Sequence, residues 1–441
     1  MLSPNPLSLL CAVLLCLPLA LVFTITGDDT TTSTTTNSNV AVAVAAAAAA
    51  TATLRRDHDN PVSMRVLLPT SRNRRNPQNR PPESKSILSY NESPEKAKPY
   101  LAARTSEERP PAPPTNPPPP ILSHEEEDED ATLFRVASKA NPNPSLPNSA
   151  KKVAFMFMTT TPLPFAPLWE MFFNQSKPKY YNIYIHADPS FDYNPPFTGM
   201  FSGSVIPSSK RTRRNTPTLI SAARRLLSHA LLHDPANYMF ALLSSVCIPL
   251  HSFKFTYRTL VTSRKSFIEI LKNETTAYGR WAARGEDAML PEVGLDDFRI
   301  GSQFWVLTRK HATVVVRDRM LWEKFKLPCL RPDTCYPEEN YFPTLLSMVD
   351  PRGVVPATLT HVDWRGRHDG HPRRYNASEV APGLIERLRR EKPRYGDFGV
   401  GSDGPDSSVA ERSDPFLFAR KFAPDSLRLL LSIANDVVFK D

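Results

Sequence analysis

The feature that most constrains the fold of this chain is an alternation of strand-like and helical patterns within residues 151–441. Val153–Met158, Tyr181–His186 and Tyr238–Leu243 have the length and apolar content of buried strands. Between the last two of these runs, Pro217–Leu232 has apolar residues at helical spacing. Strands separated by helices are typical of an α/β fold. The sequence therefore predicts one domain over residues 151–441, with a mostly parallel central sheet flanked by helices.

Residues 26–150 have a different composition. Proline accounts for 45 of the 441 residues, against only 15 glycines, and it is concentrated in tracts such as Pro110–Pro120. Segments rich in Pro, Ser, Thr, Asn and charge bury too little apolar surface to offset the entropy of the chain. We predict a disordered stem over residues 26–150, with a short helix around Ala131–Ala140 as an open alternative.

The N-terminal run Leu7–Ile25 is uncharged and almost wholly apolar, and it is about long enough to span a bilayer. We predict a membrane anchor at residues 7–25, preceded by a cytosolic tail at residues 1–6. The first basic residue is Arg55, so no positive charge orients the segment. A cleaved signal peptide is therefore the alternative.

The cysteines and the N-glycosylation sequons indicate a lumenal chain. Cys329 and Cys335 are close enough in sequence to close a small disulfide loop, although the pattern alone does not decide the pairing. Cys247 lies in an apolar run, which favours a buried free thiol. N-glycosylation sequons are found at Asn91, Asn174, Asn273 and Asn376.

The charge distribution argues against nucleic acid as a partner. The formal net charge is +9, from 54 basic and 45 acidic residues. The basic residues are scattered rather than clustered with aromatics, and Glu125–Asp130 is an acidic run. An anionic small substrate such as a nucleotide diphosphate fits the excess of positive charge.

A pair of acids, Glu338 and Glu339, opens an apolar helical segment directly after the cysteine loop. A carboxylate held at a helix start is suited to act as a general base. The alternative is structural, because Pro337 favours the first helical position and acids favour the positive end of a helix.

Two further segments could bind a donor substrate. His186 and Asp188 end the second predicted strand, where ligands of open α/β sheets bind, although Asp188 also suits a turn. Arg420 and Lys421 are adjacent cations within the apolar run Phe416–Phe422. They could stabilise a departing diphosphate, or they could be a surface pair beside an edge strand.

No Asp-x-Asp pair occurs in residues 151–441, so the sequence predicts no metal at the diphosphate. On the acceptor side, Ser302 could bind sugar hydroxyls and Trp305 could stack on a sugar ring. The alternative is a plain turn that leads into a buried strand.

The order of these motifs resembles the plant branch of the Core-2/I-branching β-1,6-N-acetylglucosaminyltransferase family, glycosyltransferase family 14. The motifs are Leu-Ser-Ser-x-Cys-Ile-Pro-Leu, Gly-Ser-Gln, Cys-Tyr-x-Glu-Glu-x-Tyr-x-Pro-Thr, Val-Asp-Trp and Phe-Ala-Arg-Lys-Phe. The resemblance covers residues 151–425. It implies a GT-A-like fold and inverting, metal-free transfer from a UDP-sugar to a glycan or glycoprotein, in a single-pass type II protein of the Golgi membrane.

The resemblance also implies roles for individual residues. It places the catalytic base on Glu339 with Glu338 as its acidic neighbour, a diphosphate-binding lysine on Lys421, and the nucleoside contact on Asp188. A second phosphate-binding arginine falls on Arg420 or on a residue of the group 365–374. Ser302 and Trp305 fall in the acceptor-side block.

The alternative from another class is a non-catalytic lumenal protein that binds carbohydrate or acts as a scaffold on the same fold. It would not need Glu339 and Lys421 together, so the enzyme hypothesis requires these two side chains to share one pocket. Family members use UDP-N-acetylglucosamine, UDP-xylose or UDP-glucuronic acid, and no motif here selects among them.

Overall fold

The computed structural model describes residues 124–366, 371–396 and 412–441. The predicted cytosolic tail, the predicted anchor at residues 7–25 and most of the predicted stem lie outside these residues. Within the described ranges, no helix is both long enough and apolar enough to cross a membrane.

The strands and helices alternate along most of the described chain. The strands are β1 (Lys152–Thr159), β2 (Tyr181–Ala187), β3 (Asn237–Ser244), β4 (Ile248–Pro249), β5 (Ser266–Phe267), β6 (Val306–Thr308), β7 (Val354–Val355), β8 (Thr360–Val362) and β9 (Phe418–Arg420). The helices are α1 (His124–Ala137), α2 (Ala166–Asn174), α3 (Thr218–His233), α4 (Phe253–Thr262), α5 (Ala277–Trp281), α6 (Arg309–Arg317), α7 (Met320–Phe325), α8 (Pro337–Val349), α9 (Pro382–Arg390) and α10 (Leu427–Ser432).

The central sheet has six strands in the order β2-β1-β3-β6-β5-β7. Strand β1 is parallel to both β2 and β3, and β5 is parallel to β7. Strand β6 runs antiparallel to β3 and β5, its two neighbours. The predicted α/β fold with a mostly parallel sheet is therefore confirmed. A second sheet of three strands, in the order β4-β9-β8, packs beside it.

Strand β1 is apolar on both faces because both faces are covered. Phe155 and Phe157 pack in a core cluster with Trp169 of α2, whereas Met156 packs in a second cluster with Leu226 of α3. A strand buried on two sides has no position for a polar residue, which explains its continuous apolar run. This packing holds the carboxyl ends of β1 and β3 rigidly, side by side.

Helix α1 lies inside residues 26–150, the range predicted as a stem, and it overlaps the short helix around Ala131–Ala140 that the sequence left open. Its residue Phe134 is buried and packs against the guanidinium of Arg224, with 4.4 Å from the Arg224 Cζ to the ring centroid. Asp130 is buried as well and forms an ion pair with Arg225 of α3. These partners lie far away in the chain, so local composition could not indicate that α1 docks on the domain.

Candidate active site

A cleft of about 430 Å³ opens at the carboxyl ends of β1 and β3. Both strands, the start of α8, the end of β9 and several loops contribute to it. The residues that line it are Met158, Thr159, Thr160, Phe191, Thr212, Arg214, Leu219, Ser244, Ser245, Val246, Gln303, Phe304, Tyr336, Glu338, Glu339, Trp364, His371, Pro372, Arg420 and Lys421. The cleft therefore holds both Glu339 and Lys421, the pair that the enzyme hypothesis requires in one pocket.

Glu339 lies in the first turn of α8, and its side chain is 29% exposed. Its Oε2 accepts a hydrogen bond of 2.8 Å from Nη1 of Arg280 in α5. The guanidinium of Arg280 in turn lies 4.6 Å from the ring centroid of Tyr336, which fixes its orientation. Arg280 thus holds the carboxylate of Glu339 in one direction while part of that carboxylate stays open to the cleft.

The start of α8 is held by a close approach at Gly301. The Gly301 amide donates a hydrogen bond of 2.8 Å to the carbonyl oxygen of Glu339. A Cβ at this position would lie 2.0 Å from the carbonyl oxygen of Glu269, so only glycine fits between the two segments. The predicted Gly-Ser-Gln turn therefore positions the backbone that carries Glu339.

Glu338 differs sharply from its neighbour. It is 5% exposed, and its Oε2 has no hydrogen-bond partner among the described residues. Burial raises the pKa of Glu338 to about 8, since removal of water penalises the charged form. Glu338 is therefore largely a neutral acid at pH 7, unlike a carboxylate ready to accept a proton.

Arg420 and Lys421 form the cationic end of the cleft. Arg420 lies at the end of β9, the middle strand of the small sheet, with its Cζ 4.5 Å from the ring centroid of Phe304. Burial lowers the pKa of Arg420, and the negative charge of the Glu339 carboxylate opposes that shift. The two groups therefore interact electrostatically. An arginine remains charged at neutral pH even so. The pair is not a surface pair beside an edge strand.

His186 and Asp188 do not line the cleft. His186 is fully buried, which lowers its pKa to about 4, and its Nε2 accepts a hydrogen bond of 3.2 Å from the Lys210 amide. Asp188 is also fully buried. Its Oδ1 accepts hydrogen bonds from Ser190, and its Oδ2 accepts two from Thr212. Among the side-chain polar atoms of the two residues, Nδ1 of His186 has no hydrogen-bond partner within the described residues. The direct contacts with the donor that the sequence suggests for His186 and Asp188 stay predictions.

Trp305 is 1% exposed and packs against Phe342 in the core, with 5.1 Å between the ring centroids. It is unable to stack on a sugar, and the predicted acceptor role of Trp305 is wrong. Ser302 is half-buried, and its hydroxyl accepts a hydrogen bond from the Phe304 amide. Gln303 and Phe304, the two residues before Trp305, line the cleft instead.

Four residues around the carboxylates were not singled out by the sequence. Arg280 pairs with Glu339, and Thr212 and Arg214 line the same cleft, with Cζ of Arg214 5.9 Å from the ring centroid of Tyr336. Burial raises the pKa of Glu269 to about 7, and the charge of Glu339 acts in the same direction while Arg394 opposes it. None of these residues stands in a motif of its own. Only the approach of segments distant in the chain brings them together.

Cys329 and Cys335 form a disulfide just before α8, and Cys247 is a buried free thiol, as the sequence indicated for each. Among the described residues, no three His, Cys, Asp or Glu side chains converge to hold a metal ion. Ser244 and Ser245 occupy the strand end at which an Asp-x-Asp pair would bind a metal. The polar character of this wall comes from hydroxyl groups.

A cleft at the carboxyl edge of an α/β sheet, lined by both a carboxylate and cations, is suited to sugar transfer. A family model described as Core-2/I-branching enzyme matches residues 153–389. The chain belongs to this family, and the family predicted from the motifs is confirmed. The match includes Glu338 and Glu339 and ends before β9.

A named relative supports the same conclusion. The chain is 30% identical over 307 residues to glycosyltransferase BC10 of Oryza sativa subsp. japonica. The matched region covers 63% of this chain and 75% of the relative. The protein is therefore a glycosyltransferase, which in general terms requires a sugar donor and a glycan acceptor.

Proposed function

We propose that this protein is an inverting glycosyltransferase with a GT-A-like fold that moves a sugar from a UDP-sugar to a hydroxyl group without a metal ion. The acceptor is a glycan or a glycoprotein. The observation that carries the proposal is the presence of Glu339 and Lys421 in the same cleft. A non-catalytic binding protein on this fold has no need for both groups.

Glu339 acts as the general base. It takes the proton of the acceptor hydroxyl while that oxygen attacks the anomeric carbon from the face opposite UDP. The new carbon–oxygen bond forms as the bond to the β-phosphate oxygen breaks, and UDP leaves with the electron pair. One displacement converts an α-linked donor into a β-linked product. Arg280, at 2.8 Å, orients the carboxylate for this transfer.

Arg420 and Lys421 neutralise the leaving diphosphate. Charge-assisted hydrogen bonds to phosphate oxygens are strong in a partly buried site, and they stabilise the charge that develops on UDP. Arg214 lines the same cleft and adds positive charge. Together these cations supply what a divalent metal supplies in other sugar-nucleotide enzymes.

Trp364 replaces Trp305 as the acceptor platform. Its side chain is 52% exposed and it lines the cleft. An exposed indole beside a polar cleft offers an apolar face to a sugar ring, and no structural requirement explains its exposure. Trp364→Ala should therefore raise the KM for the acceptor more than the KM for the donor, as steady-state kinetics with each substrate varied would show.

The disulfide between Cys329 and Cys335 supports a place in an oxidising compartment. Together with the predicted anchor, it supports our proposal of a type II protein of the Golgi membrane with its catalytic domain in the lumen. Protease treatment of intact Golgi vesicles tests the orientation. Digestion of the catalytic domain without detergent would contradict it.

The deciding experiment offers a panel of UDP-sugars to the purified full-length protein, with glycan acceptors, and measures UDP release with and without a chelator. We expect release from one donor that is insensitive to the chelator and lost in Glu339→Gln. Release from none of the donors would favour the non-catalytic alternative. Loss of activity on chelation would contradict the metal-free mechanism.

A further inference from the structure

We propose that helix α1 is a positioning element of the cleft, which acts through Glu129 and Asp130 on the loop that carries Thr212 and Arg214. The inference rests on the proposed function, because it assigns these loop residues to the donor side of the transferase site. It extends the catalytic unit into the segment that the sequence assigns to the stem.

The first contact is a buried, bidentate ion pair between α1 and α3. Asp130 is 5% exposed and accepts hydrogen bonds of 2.7 Å from Nε and 2.6 Å from Nη2 of Arg225, which is fully buried. Two parallel hydrogen bonds restrict the geometry as well as the distance. This pair therefore anchors α1 to the domain in one register.

The second contact joins α1 to the loop between β2 and α3. Lys210 is 8% exposed, and its Nζ lies 2.8 Å from Oε2 of Glu129 and 3.8 Å from Oδ1 of Asp130. The Lys210 amide donates a hydrogen bond to Nε2 of His186 at the end of β2. Lys210 is thus held from both sides, by α1 and by the sheet.

The loop then leads directly into the cleft. Two residues beyond Lys210, Thr212 donates from its amide and its hydroxyl to Oδ2 of Asp188, at 2.6 and 2.7 Å. Thr212 and Arg214 both line the cleft. A displacement of Lys210 therefore moves residues that face the substrate, because the segment between them is short and hydrogen-bonded at each step.

The test uses three variants of the full-length protein: Asp130→Asn, Glu129→Gln and Asp128→Asn. Asp128 is an exposed acid on the same helix and is not part of the ion pairs with Lys210 and Arg225 described above, so it serves as the matched control. The probe is UDP alone, with its affinity measured by calorimetry. Hydrogen exchange of the amides in residues 206–216 is measured in parallel.

We expect Asp130→Asn to weaken UDP binding by about tenfold and to speed exchange in the loop, since hydrogen bonds to charged groups are worth that much. Glu129→Gln should have a smaller effect of about two- to fivefold, in keeping with a partly solvated pair. The Glu129 side chain is 73% exposed, so its loss should leave the melting temperature unchanged. A purely structural role of α1 does not predict this separation of binding from stability.

Unchanged UDP affinity in the helix variants, or loop exchange equal to that of Asp128→Asn, would overturn the inference. If Asp130→Asn does not fold, Glu129→Gln decides by the same two measurements. Failure of the wild-type protein to bind UDP would contradict the proposed donor rather than the coupling, and the exchange measurement alone would then decide whether α1 orders the loop.

Discussion

The carboxylates behind the cleft and those that line it are used in opposite ways. Asp188, at the end of β2, lies behind the cleft lining: it is fully buried, and its two oxygens accept hydrogen bonds from Ser190 and Thr212. On the wall formed by the start of α8, Glu339 keeps part of its carboxylate open to the cleft, and one oxygen of Glu338 has no partner among the described residues. The comparison separates Asp188, a carboxylate that holds the structure of the site, from Glu339, a carboxylate that is open to a substrate.

Their ionisation follows the same division. Burial would raise the pKa of Asp188, but the hydrogen bonds from Ser190 and Thr212 outweigh it and hold that pKa below the ordinary value. Burial raises the pKa of Glu338 without such compensation. Saturated hydrogen bonding favours a charged group, whereas an unpaired acid in a dry site becomes neutral.

The largest expected effect lies on the α8 wall. Glu339→Gln should lower kcat by a factor of about 10²–10⁴, because it removes the general base. UDP affinity and melting temperature should change little, since the amide keeps the size of the side chain and can still accept a hydrogen bond from Arg280. Single-turnover kinetics and calorimetry test this directly. Full turnover in this variant would remove the distinction between Glu339 and Asp188.

Next in size is the cationic end. Lys421→Met should lower kcat/KM by about a hundredfold, because one charged group that stabilises the leaving diphosphate is lost. Lys254→Met, at an exposed position of α4, is the matched control and should behave as wild type. An equal effect of the two substitutions would mean that net charge, rather than a placed ammonium group, determines activity.

The third prediction concerns the pH dependence of stability. A raised folded-state pKa means that the stabilising effect of protonated Glu338 is complete below about 4.5 and is lost as the pH rises through about 8. Glu338→Gln should flatten this profile by about 3 kcal/mol between pH 5 and pH 8. Urea unfolding at several pH values measures it. Identical slopes in both proteins would contradict a neutral Glu338.

The smallest effect is expected at Asp188, behind the cleft, where stability depends on pH in the opposite direction. Because the pKa of Asp188 is depressed, its stabilisation is present above the unfolded value of 3.8 and is lost as the pH falls through the folded value. Asp188→Asn should cost about 2 kcal/mol at neutral pH, since charge-assisted hydrogen bonds to Thr212 or Ser190 are lost. UDP binding should weaken by less than about tenfold, which corresponds to 1.4 kcal/mol. A larger loss would point to direct contact between Asp188 and the nucleoside.

Much of the fold could be predicted from local sequence. The run Val153–Met158 became β1, and the helical spacing of Pro217–Leu232 became α3 within a residue of each end. Glu338 and Glu339 indeed open a helix, which begins at Pro337. Such elements are encoded by periodicity and end signals over a few neighbouring residues, so the sequence alone is sufficient.

The sequence by itself determined the α/β class, the family and the helix start that carries Glu339. Only the tertiary structure decided that Trp305 faces the core, that the oxygens of Asp188 accept hydrogen bonds from Thr212 and Ser190, and that α1 packs on the domain. The reason is physical. Periodicity specifies the type of an element, but the direction of a polar or aromatic side chain depends on partners contributed by distant segments.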